Sequence, residues 1–428
     1  MKLNYKRTVL VGLAFLSISA FWQLYDSIIP LILRDTFGLK DTFSGFIMSI
    51  DNILALFMLP LFGALSDKAG KRMPFILAGT AAAVICMIAV PVSAQTKSLP
   101  LFFVALGLVL FAMGSYRSPA VALMPDVTPK PQRSKANAII NLMGALGGVY
   151  TLVMINLLTR KQGASSGDYL TVFVSVAVLM IAAIVALRLT IPEQKLVQKM
   201  RDINYGVDPA DEAKPVEDHG KEKLPPAVMR SLILILLSVS LWFMGYNAVT
   251  TAFTKYATQV WGQNVGQAST CLLVATVGAV ISYIPIGLIA SKIGRKKTIL
   301  LGIVLLSACF AFGAFVAEQF SPSLYGMFAL VGFAWAAINV NSYPMVVEIS
   351  QHGDIGKYTG YYYIFSMAAQ IITPILSGWL LEHVGYHTLF PYAAVMVAFA
   401  FVTMSLTRHG DNKPHKKASK LEAFDVED

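Results

Sequence analysis

The sequence predicts an all-α integral membrane protein with twelve transmembrane helices, arranged as two homologous six-helix halves. Three observations predict this fold. Of the 428 residues, 56% are hydrophobic and 14% are charged, whereas soluble domains carry about 25% charged residues. The apolar residues form segments of at least about 20 residues, which is the length that crosses a bilayer. A long polar stretch divides these segments six and six, and short motifs recur in both halves.

Twelve apolar segments have spanning length. The first is longer than the apolar run of a signal peptide, about 7–15 residues, and no small-residue cleavage site follows it, so we expect a membrane helix there. The predicted spans cover residues 8–33, 43–65, 74–95, 99–124, 136–159, 169–191, 230–258, 266–291, 298–318, 322–347, 359–383 and 385–407.

Basic residues are distributed unevenly among the connecting segments. Of 34 Lys and Arg residues, 27 lie in the two tails, in loops after even-numbered spans or at the span ends that adjoin these loops, and five lie in loops after odd-numbered spans. Because cytoplasmic loops collect Lys and Arg, we expect both termini in the cytoplasm and the chain in the cell membrane. The net charge of +10 is then an orientation signal and not a nucleic-acid signature. Lys255, near the outer end of span seven, is expected to snorkel to the interface.

These features divide the chain into four parts. We predict an N-terminal half at 1–191, a cytoplasmic linker at 192–229, a C-terminal half at 230–407 and a polar tail at 408–428. Within the linker, residues 193–203 have the pattern of a short surface helix.

The loops after spans two and eight share a motif, GALSDKAGKR and GLIASKIGRKK, at an offset of 224 residues. The same offset relates a basic residue after span four to one after span ten, so two homologous halves follow. Glycines let helices two and three approach closely. Asp67 can accept hydrogen bonds from a helix N-terminus or pair with Arg133, while Lys71 and Arg72 stay at the headgroups. A charged turn that only follows the positive-inside rule is the alternative. The candidate gating residues are Gly63, Asp67, Gly70, Lys71, Arg72, Asp126, Arg133, Gly287, Gly294, Arg295, Glu348 and Lys357.

This repeated motif resembles the loop motif of the major facilitator superfamily, and the resemblance covers essentially the whole chain. The stretch GKRMPFI at 70–76 and the pattern from Pro119 to Pro125 are similar to glycoside, pentoside and hexuronide cation symporters. ALMPD at 122–126, followed by Arg133, is similar to sucrose-type carriers. The resemblance implies a transporter that works by alternating access.

Three ionisable residues are expected deep in the membrane. Counted from the ends of their spans, Asp26, Asp51 and Arg117 lie roughly 10, 12 and 13 Å inside at 1.5 Å per residue. Such groups need a cavity, a partner or a function. We expect Asp26 or Asp51 to carry a proton near Arg117, so that protonation drives the conformational switch. A fixed ion pair that only orders the helices is the alternative.

The predicted coupling ion rests on a departure from the resembled symporters. Those proteins carry an acid two residues before the proline that is equivalent to Pro119. They also carry paired acids shortly before the proline that is equivalent to Pro60. Here Arg117 replaces the first, and residues 52–59 contain no acid. A guanidinium in place of carboxylates makes a poor sodium site. We therefore expect H⁺ as the coupling ion, with Na⁺ or uncoupled transport as alternatives.

Polar and aromatic residues within other spans suit a sugar. Aromatic rings stack on sugar faces, while amides bind hydroxyl groups. Simple helix packing by these residues is the competing interpretation. The candidate substrate-binding residues are Gln23, Trp242, Tyr246, Asn247, Asn339 and Gln370.

The predicted function is transport of a sugar or glycoside by a carrier that is not an enzyme. No phosphate-binding loop of the G-x-x-x-x-G-K-[ST] type and no catalytic triad can be identified in the sequence. We expect no cofactor, no metal and no nucleic acid, a small-molecule substrate and the lipid bilayer as partners, and a monomer. An exporter of drugs or metabolites with the same fold is the main alternative. A membrane sensor that uses the linker for output is a further one.

Overall fold

The computed structural model describes residues 4–128, 133–159, 169–205, 225–315, 319–347, 349 and 355–411, and this part of the chain is helical with short connections. Twelve of its helices are long and apolar enough to cross a membrane. They correspond one to one to the predicted spans, with ends that differ by a few residues. The fold class predicted from the sequence is therefore confirmed.

The N-terminal half contains six spanning helices. The first continues past Leu31 into a π-helical turn at Ile32–Thr36, and the second ends at Gly70, whose φ of +64° suits glycine at a helix C-terminus. The helices are α1 (Tyr5–Leu31), α2 (Asp41–Ala69), α3 (Met73–Gln95), α4 (Leu99–Asp126), α5 (Arg133–Thr159) and α6 (Leu170–Thr190).

A short amphipathic helix, α7 (Glu193–Tyr205), follows in the linker, where the sequence predicted a helix at 193–203. The C-terminal half then begins at Pro226, which lies inside the stretch predicted as linker. The first connection of this half ends in a capping box, which Asn264 and Gln267 form at the start of its second helix. The helices are α8 (Pro226–Gln259), α9 (Val265–Ile293), α10 (Arg295–Phe315), α11 (Ser323–Val347), α12 (Ile355–His383) and α13 (Leu389–Leu406).

Each half has its own apolar core. Phe102, Tyr116 and Phe173 are buried in the N-terminal half, and Phe253 and Phe390 are buried in the C-terminal half. Many other large apolar side chains are exposed on the outside of the bundle. Such a distribution is typical of helices whose outer faces contact lipid, since lipid solvates apolar groups.

The halves meet along three helix pairs. Helix α2 packs against α12, α5 packs against α9, and α1 approaches α8. We call the end of the bundle that carries α7 and the α2–α3 connection the linker end, and the opposite end, with the α1–α2 connection, the distal end. Among described residues, the hydrogen bonds that join the halves lie in the distal part of the bundle. The distal end is therefore closed in this structure.

Candidate functional site

A cavity of about 230 Å³ lies between the two halves. Helix α1 of the N-terminal half contributes one wall, and helices α8 to α11 of the C-terminal half contribute the rest. The lining residues are Gln23, Asp26, Tyr246, Asn247, Val249, Thr250, Leu272, Ala275, Thr276, Phe310, Phe328 and Val331. Because both halves line it, any movement between the halves changes its shape.

The polar side of this cavity brings together four residues that the sequence singled out. Gln23 Nε2 donates a hydrogen bond to Ser27 Oγ at 3.1 Å, and Asp26 is half-buried one helical turn further along α1. Tyr246 and Asn247 face them from α8. Within the described part of the chain, the buried Asn247 Nδ2 has no hydrogen-bond partner. A bound polar molecule would satisfy this donor.

An aromatic pair stiffens the cavity wall. The ring of Tyr246 stacks on that of Trp335 with centroids 3.7 Å apart and an interplanar angle of 5°. Trp335 was not a candidate, although a tryptophan inside a spanning helix is a usable sequence signal. The deeper wall, with Phe310 and Phe328, is apolar. The cavity is therefore amphipathic.

The three predicted intramembrane charges lie near one another. Asp51 is within electrostatic range of both Asp26 and Arg117, and its Oδ1 accepts a hydrogen bond of 2.9 Å from Asn52 Nδ2. The Arg117 guanidinium lies 5.5 Å from the centre of the Trp22 ring. These described side chains form no ion pair within 4.0 Å of one another. They are thus close enough to interact without being locked into a fixed pair.

Three candidate substrate residues do not line the cavity. Trp242 is fully buried in the core of the C-terminal half. Gln370 Nε2 donates to the carbonyl of Ser366 within its own helix, and Asn339 lies on α11 outside the lining. A sequence pattern cannot separate these from the lining residues, because a residue type shows polarity but not which face of the helix it occupies.

The loop motif at the linker end forms a network around Arg72. Its guanidinium donates to Asp126 Oδ2 at 2.9 Å, to Asp67 Oδ1 and to Ser66 Oγ. Burial disfavours the charge on Arg72, but its bonds to Asp126 and Asp67 outweigh that effect and raise the pKa of its guanidinium. The expectation that Arg72 stays at the headgroups is therefore wrong, because these acids hold the side chain inward. Lys71 is exposed as expected.

Helix α3 is capped by a residue that the sequence analysis missed. Both carboxylate oxygens of Glu193, on α7, accept backbone N–H groups at the start of α3, from Arg72 and Met73. The second half repeats this arrangement, since Asp411 Oδ1 accepts from the N–H groups of Arg295 and Lys296 at the start of α10. In each half, an acid that follows the sixth helix caps the third.

The remaining motif residues have different outcomes. Gly63 faces Ser118 on α4, so it permits approach of α2 to α4 and not, as expected, to α3. Gly294 has a φ of +92°, which suits glycine at the end of a helix. A Cβ at Gly287 would meet nothing within 4 Å. The side chains of Arg133 and Lys357, and the whole of Glu348, lie outside the described residues.

Lys255 does not snorkel to the interface as expected. Its Nζ donates to Asp41 Oδ1 at 2.6 Å, and only 4% of the lysine surface is exposed. The acid begins α2, where the sequence analysis assigned it no role. A charge partner from the other half thus holds the lysine inside the protein.

No metal centre is evident in the described ranges, because no group of three or more His, Cys, Asp or Glu side chains there could hold an ion.

Comparison with known proteins identifies the family. Residues 11–280 and 235–426 match the family model described as Major Facilitator Superfamily. Hippocampus abundant transcript-like protein 1 of Homo sapiens is 27% identical over 72% of this chain and 58% of that protein. Sucrose transport protein SUC3 of Arabidopsis thaliana is 29% identical over 30% of this chain and 25% of that protein. The chain spans about 60% of the length of the first curated relatives that it matches.

A solved structure supports the same fold. Tetrameric PepTSo2 superposes with a TM-score of 0.66 over 94% of this chain and 96% of that one, at 15% identity. At this identity the likeness shows the fold alone. The match of the family model to both halves, together with the twelve spanning helices, shows that the chain belongs to the Major Facilitator Superfamily and is a multi-pass membrane protein.

Proposed function

We propose that this protein is a transporter that moves a sugar or glycoside across the membrane by alternating access, with protons as the coupling ion. The observation that carries the proposal is the cavity between the halves, where Gln23, Asp26 and Asn247 surround the polar side. Its volume of about 230 Å³ lies below the usual 300–1,000 Å³ range of ligand pockets. This size favours one sugar ring with a small substituent. The relationship to a sucrose transport protein supports the same substrate class.

The amphipathic lining favours a glycoside over a free sugar. Hydroxyl groups of the ring would bond to the amide and carboxylate groups contributed by α1 and α8. An apolar substituent would lie against Phe310 and Phe328. Burying such a substituent adds affinity of about 25 cal/mol per Å² of apolar surface.

Proton coupling is supported by the arrangement of Asp26, Asp51 and Arg117. Two carboxylates within electrostatic range of each other disfavour double ionisation. Protonation of Asp26 at the cavity would relieve this repulsion. The proton would be released when the distances from Asp26 to Arg117 and Asp51 change during the switch between states. Sodium coupling and uncoupled transport are the competing mechanisms.

We further propose that the linker end faces the cytoplasm of a cell membrane, that both termini lie there, and that the protein works as a monomer. The excess of Lys and Arg at this end supports the orientation. Since the distal end is closed, the conformation is then one without access from the outer side of the membrane.

Uptake by proteoliposomes tests the proposal. A panel of free sugars and glycosides is offered first under an inward proton gradient and then under a sodium gradient. We expect accumulation of at least one glycoside with the proton gradient only. Asp26→Asn should abolish accumulation while leaving counterflow exchange, and Asp218→Asn in the linker serves as the matched control. Sodium-driven uptake, or full accumulation by Asp26→Asn, would contradict proton coupling through Asp26.

An exporter of amphipathic cations is the second candidate. It is favoured by the single carboxylate among the cavity residues and by the apolar wall behind it. Extrusion of cationic dyes by inverted vesicles, with failure of every sugar in the panel, would select this function.

A further inference from the structure

The distal end of the bundle is closed by a polar network that joins the two halves. Asp41 is the first residue of α2, where the helix dipole favours a negative charge. Its Oδ1 accepts from Lys255 Nζ at 2.6 Å, and its Oδ2 accepts from the hydroxyl of Tyr386 at 2.7 Å. Lys255 and Asp41 are 4% and 8% exposed. Both oxygens of this buried carboxylate are therefore bound by the opposite half.

Two further contacts cross the same boundary. The Arg34 guanidinium, at the end of α1, donates to Thr258 Oγ1 at 3.3 Å and to the carbonyl of Lys255 at 3.4 Å. In the reverse sense, Glu382 Oε2 accepts from the backbone N–H of Thr42 at 3.0 Å. Each half thus supplies both a charged donor and a charged acceptor. None of these bonds survives if the halves separate at this end.

Direct backbone contact lies beside the network. A Cβ at Gly45 would be 1.9 Å from the carbonyl oxygen of Pro374, and a Cβ at Gly378 would be 2.4 Å from that of Asp41. Helices α2 and α12 therefore touch through their backbones, and the cavity beside the ion pair is only about 10 Å³, which is at the lower limit for one water molecule. Removal of one partner of such a buried ion pair strongly destabilises the closed state, because the other charge then remains buried and unpaired.

The opposite side of the interface lacks charge among the described residues. There, Asn156 Nδ2 on α5 donates to the carbonyl of Gly266 and to Thr270 Oγ1 on α9, both at 2.7 Å. Within the described ranges, the ion pairs of the closure thus lie on the side of α2, α8 and α12. Because the contact on the α5 side is neutral, the ion pair can be removed by mutation while that contact stays in place.

We propose that Asp41, Lys255 and Tyr386 form the distal gate of this transporter, a latch whose strength sets the balance between its two access states. All of its bonds exist in the conformation closed at the distal end and break in the other, so the latch favours the former. Transport requires that the latch break in every cycle. The inference rests on the transporter assignment and is independent of the sugar and of the coupling ion.

Cysteine labelling from the distal side tests the gate. Cys86, Cys271 and Cys309 are replaced by alanine, and Thr250→Cys places a reporter in the cavity. The protein is reconstituted in vesicles whose orientation is measured by proteolysis of the linker. We expect Lys255→Met to raise the labelling rate by a membrane-impermeant maleimide at least about tenfold, since loss of one member of a buried pair costs several kcal/mol.

Two other variants separate the gate from a general folding defect. Tyr386→Phe removes one hydrogen bond and leaves no unpaired charge, so we expect an increase of about two- to tenfold. The exchange Asp41→Lys with Lys255→Asp should lower labelling below that of Lys255→Met, because the charges are paired again. The rescue should be partial, since a lysine at the start of α2 opposes the helix dipole. Lys40→Met is the matched control. Lys40 Nζ lies 3.4 Å from Glu382 Oε1 of the other half, but the lysine side chain is 80% exposed, and exposed ion pairs contribute little.

The outcomes are distinguishable. Unchanged labelling in both Lys255→Met and Tyr386→Phe, in protein that elutes as a single species on size exclusion, would overturn the gate. An equal rise in Lys40→Met would also overturn it, because an exposed pair would then matter as much as the buried one, and the closure could not be assigned to Asp41, Lys255 and Tyr386. Failure of every sugar in the uptake panel leaves the labelling result untouched and contradicts only the proposed substrate.

Discussion

At the scale of single residues, Arg72 explains why the loop motif at the linker end contains two acids. Its planar guanidinium bonds to Asp126 and Asp67 together, a geometry that lysine cannot reproduce. The sequence predicted a motif here because Gly63, Gly70 and the basic residue at 71 recur at a fixed offset, although Asp67 does not. It could not predict which basic residue turns inward, because Lys71 and Arg72 are adjacent and only the packing of α4 distinguishes them.

The two acids should contribute unequally to stability. Asp126 is 33% exposed and Asp67 is 65% exposed. We expect Asp126→Asn to lower the free energy of unfolding by about 1–3 kcal/mol, because the largely buried guanidinium loses a charged partner. Asp67→Asn should cost less than about 1 kcal/mol, as is usual for an exposed pair. Thermal unfolding of both variants in detergent measures the difference, and a larger loss from Asp67→Asn would contradict this ranking.

At the scale of helices, hydropathy located the spanning segments because the signal is local and each segment is long. Helix α7 was also predicted, since its polar and apolar residues alternate with helical periodicity. The capping of α3 by Glu193 was not predicted. That residue and the start of α3 are 120 residues apart, and no local pattern reports their contact.

The two caps should behave alike despite their distance along the chain. We expect Glu193→Ala and Asp411→Ala each to lower the free energy of unfolding by about 0.5–2 kcal/mol, the range for loss of a helix N-cap. The physical reason is the same, because each change leaves two backbone N–H groups at a helix start without a carboxylate acceptor. Calorimetry or thermal unfolding measures both. A loss of stability in only one of the two variants would contradict the prediction, because the two caps would then share their geometry but not their contribution to stability.

At the scale of the whole molecule, the fold and part of the cavity followed from sequence, but the closure between halves did not. Asp26, Gln23, Tyr246 and Asn247 were found because a polar residue inside a long apolar segment is conspicuous. Asp41 and Lys255 lie near the ends of their spans, where charges are ordinary, so neither is conspicuous. Their contact exists only because two separately folded halves meet at the distal end.

The fit between the halves can be tested without changing any charge. A methyl group at Gly45 would overlap the carbonyl of Pro374. Overpacking costs about 1–3 kcal/mol, so we expect Gly45→Ala to slow transport about tenfold and to raise distal labelling. Gly107→Ala is the matched control, because a Cβ at that position of α4 meets nothing within 4 Å. Normal rates of transport by Gly45→Ala would mean that the backbones need not touch during the cycle.

The cap at Asp411 also has a practical consequence for engineering the protein. Polar tails are commonly trimmed before crystallisation or replaced by a fluorescent reporter. A boundary placed at Arg408 would delete the acceptor for the N–H groups of Arg295 and Lys296 and leave α10 uncapped. A boundary after Asp411 would keep it. The five residues that follow the last spanning helix, up to Asp411, are thus a working part of the protein and not a dispensable extension.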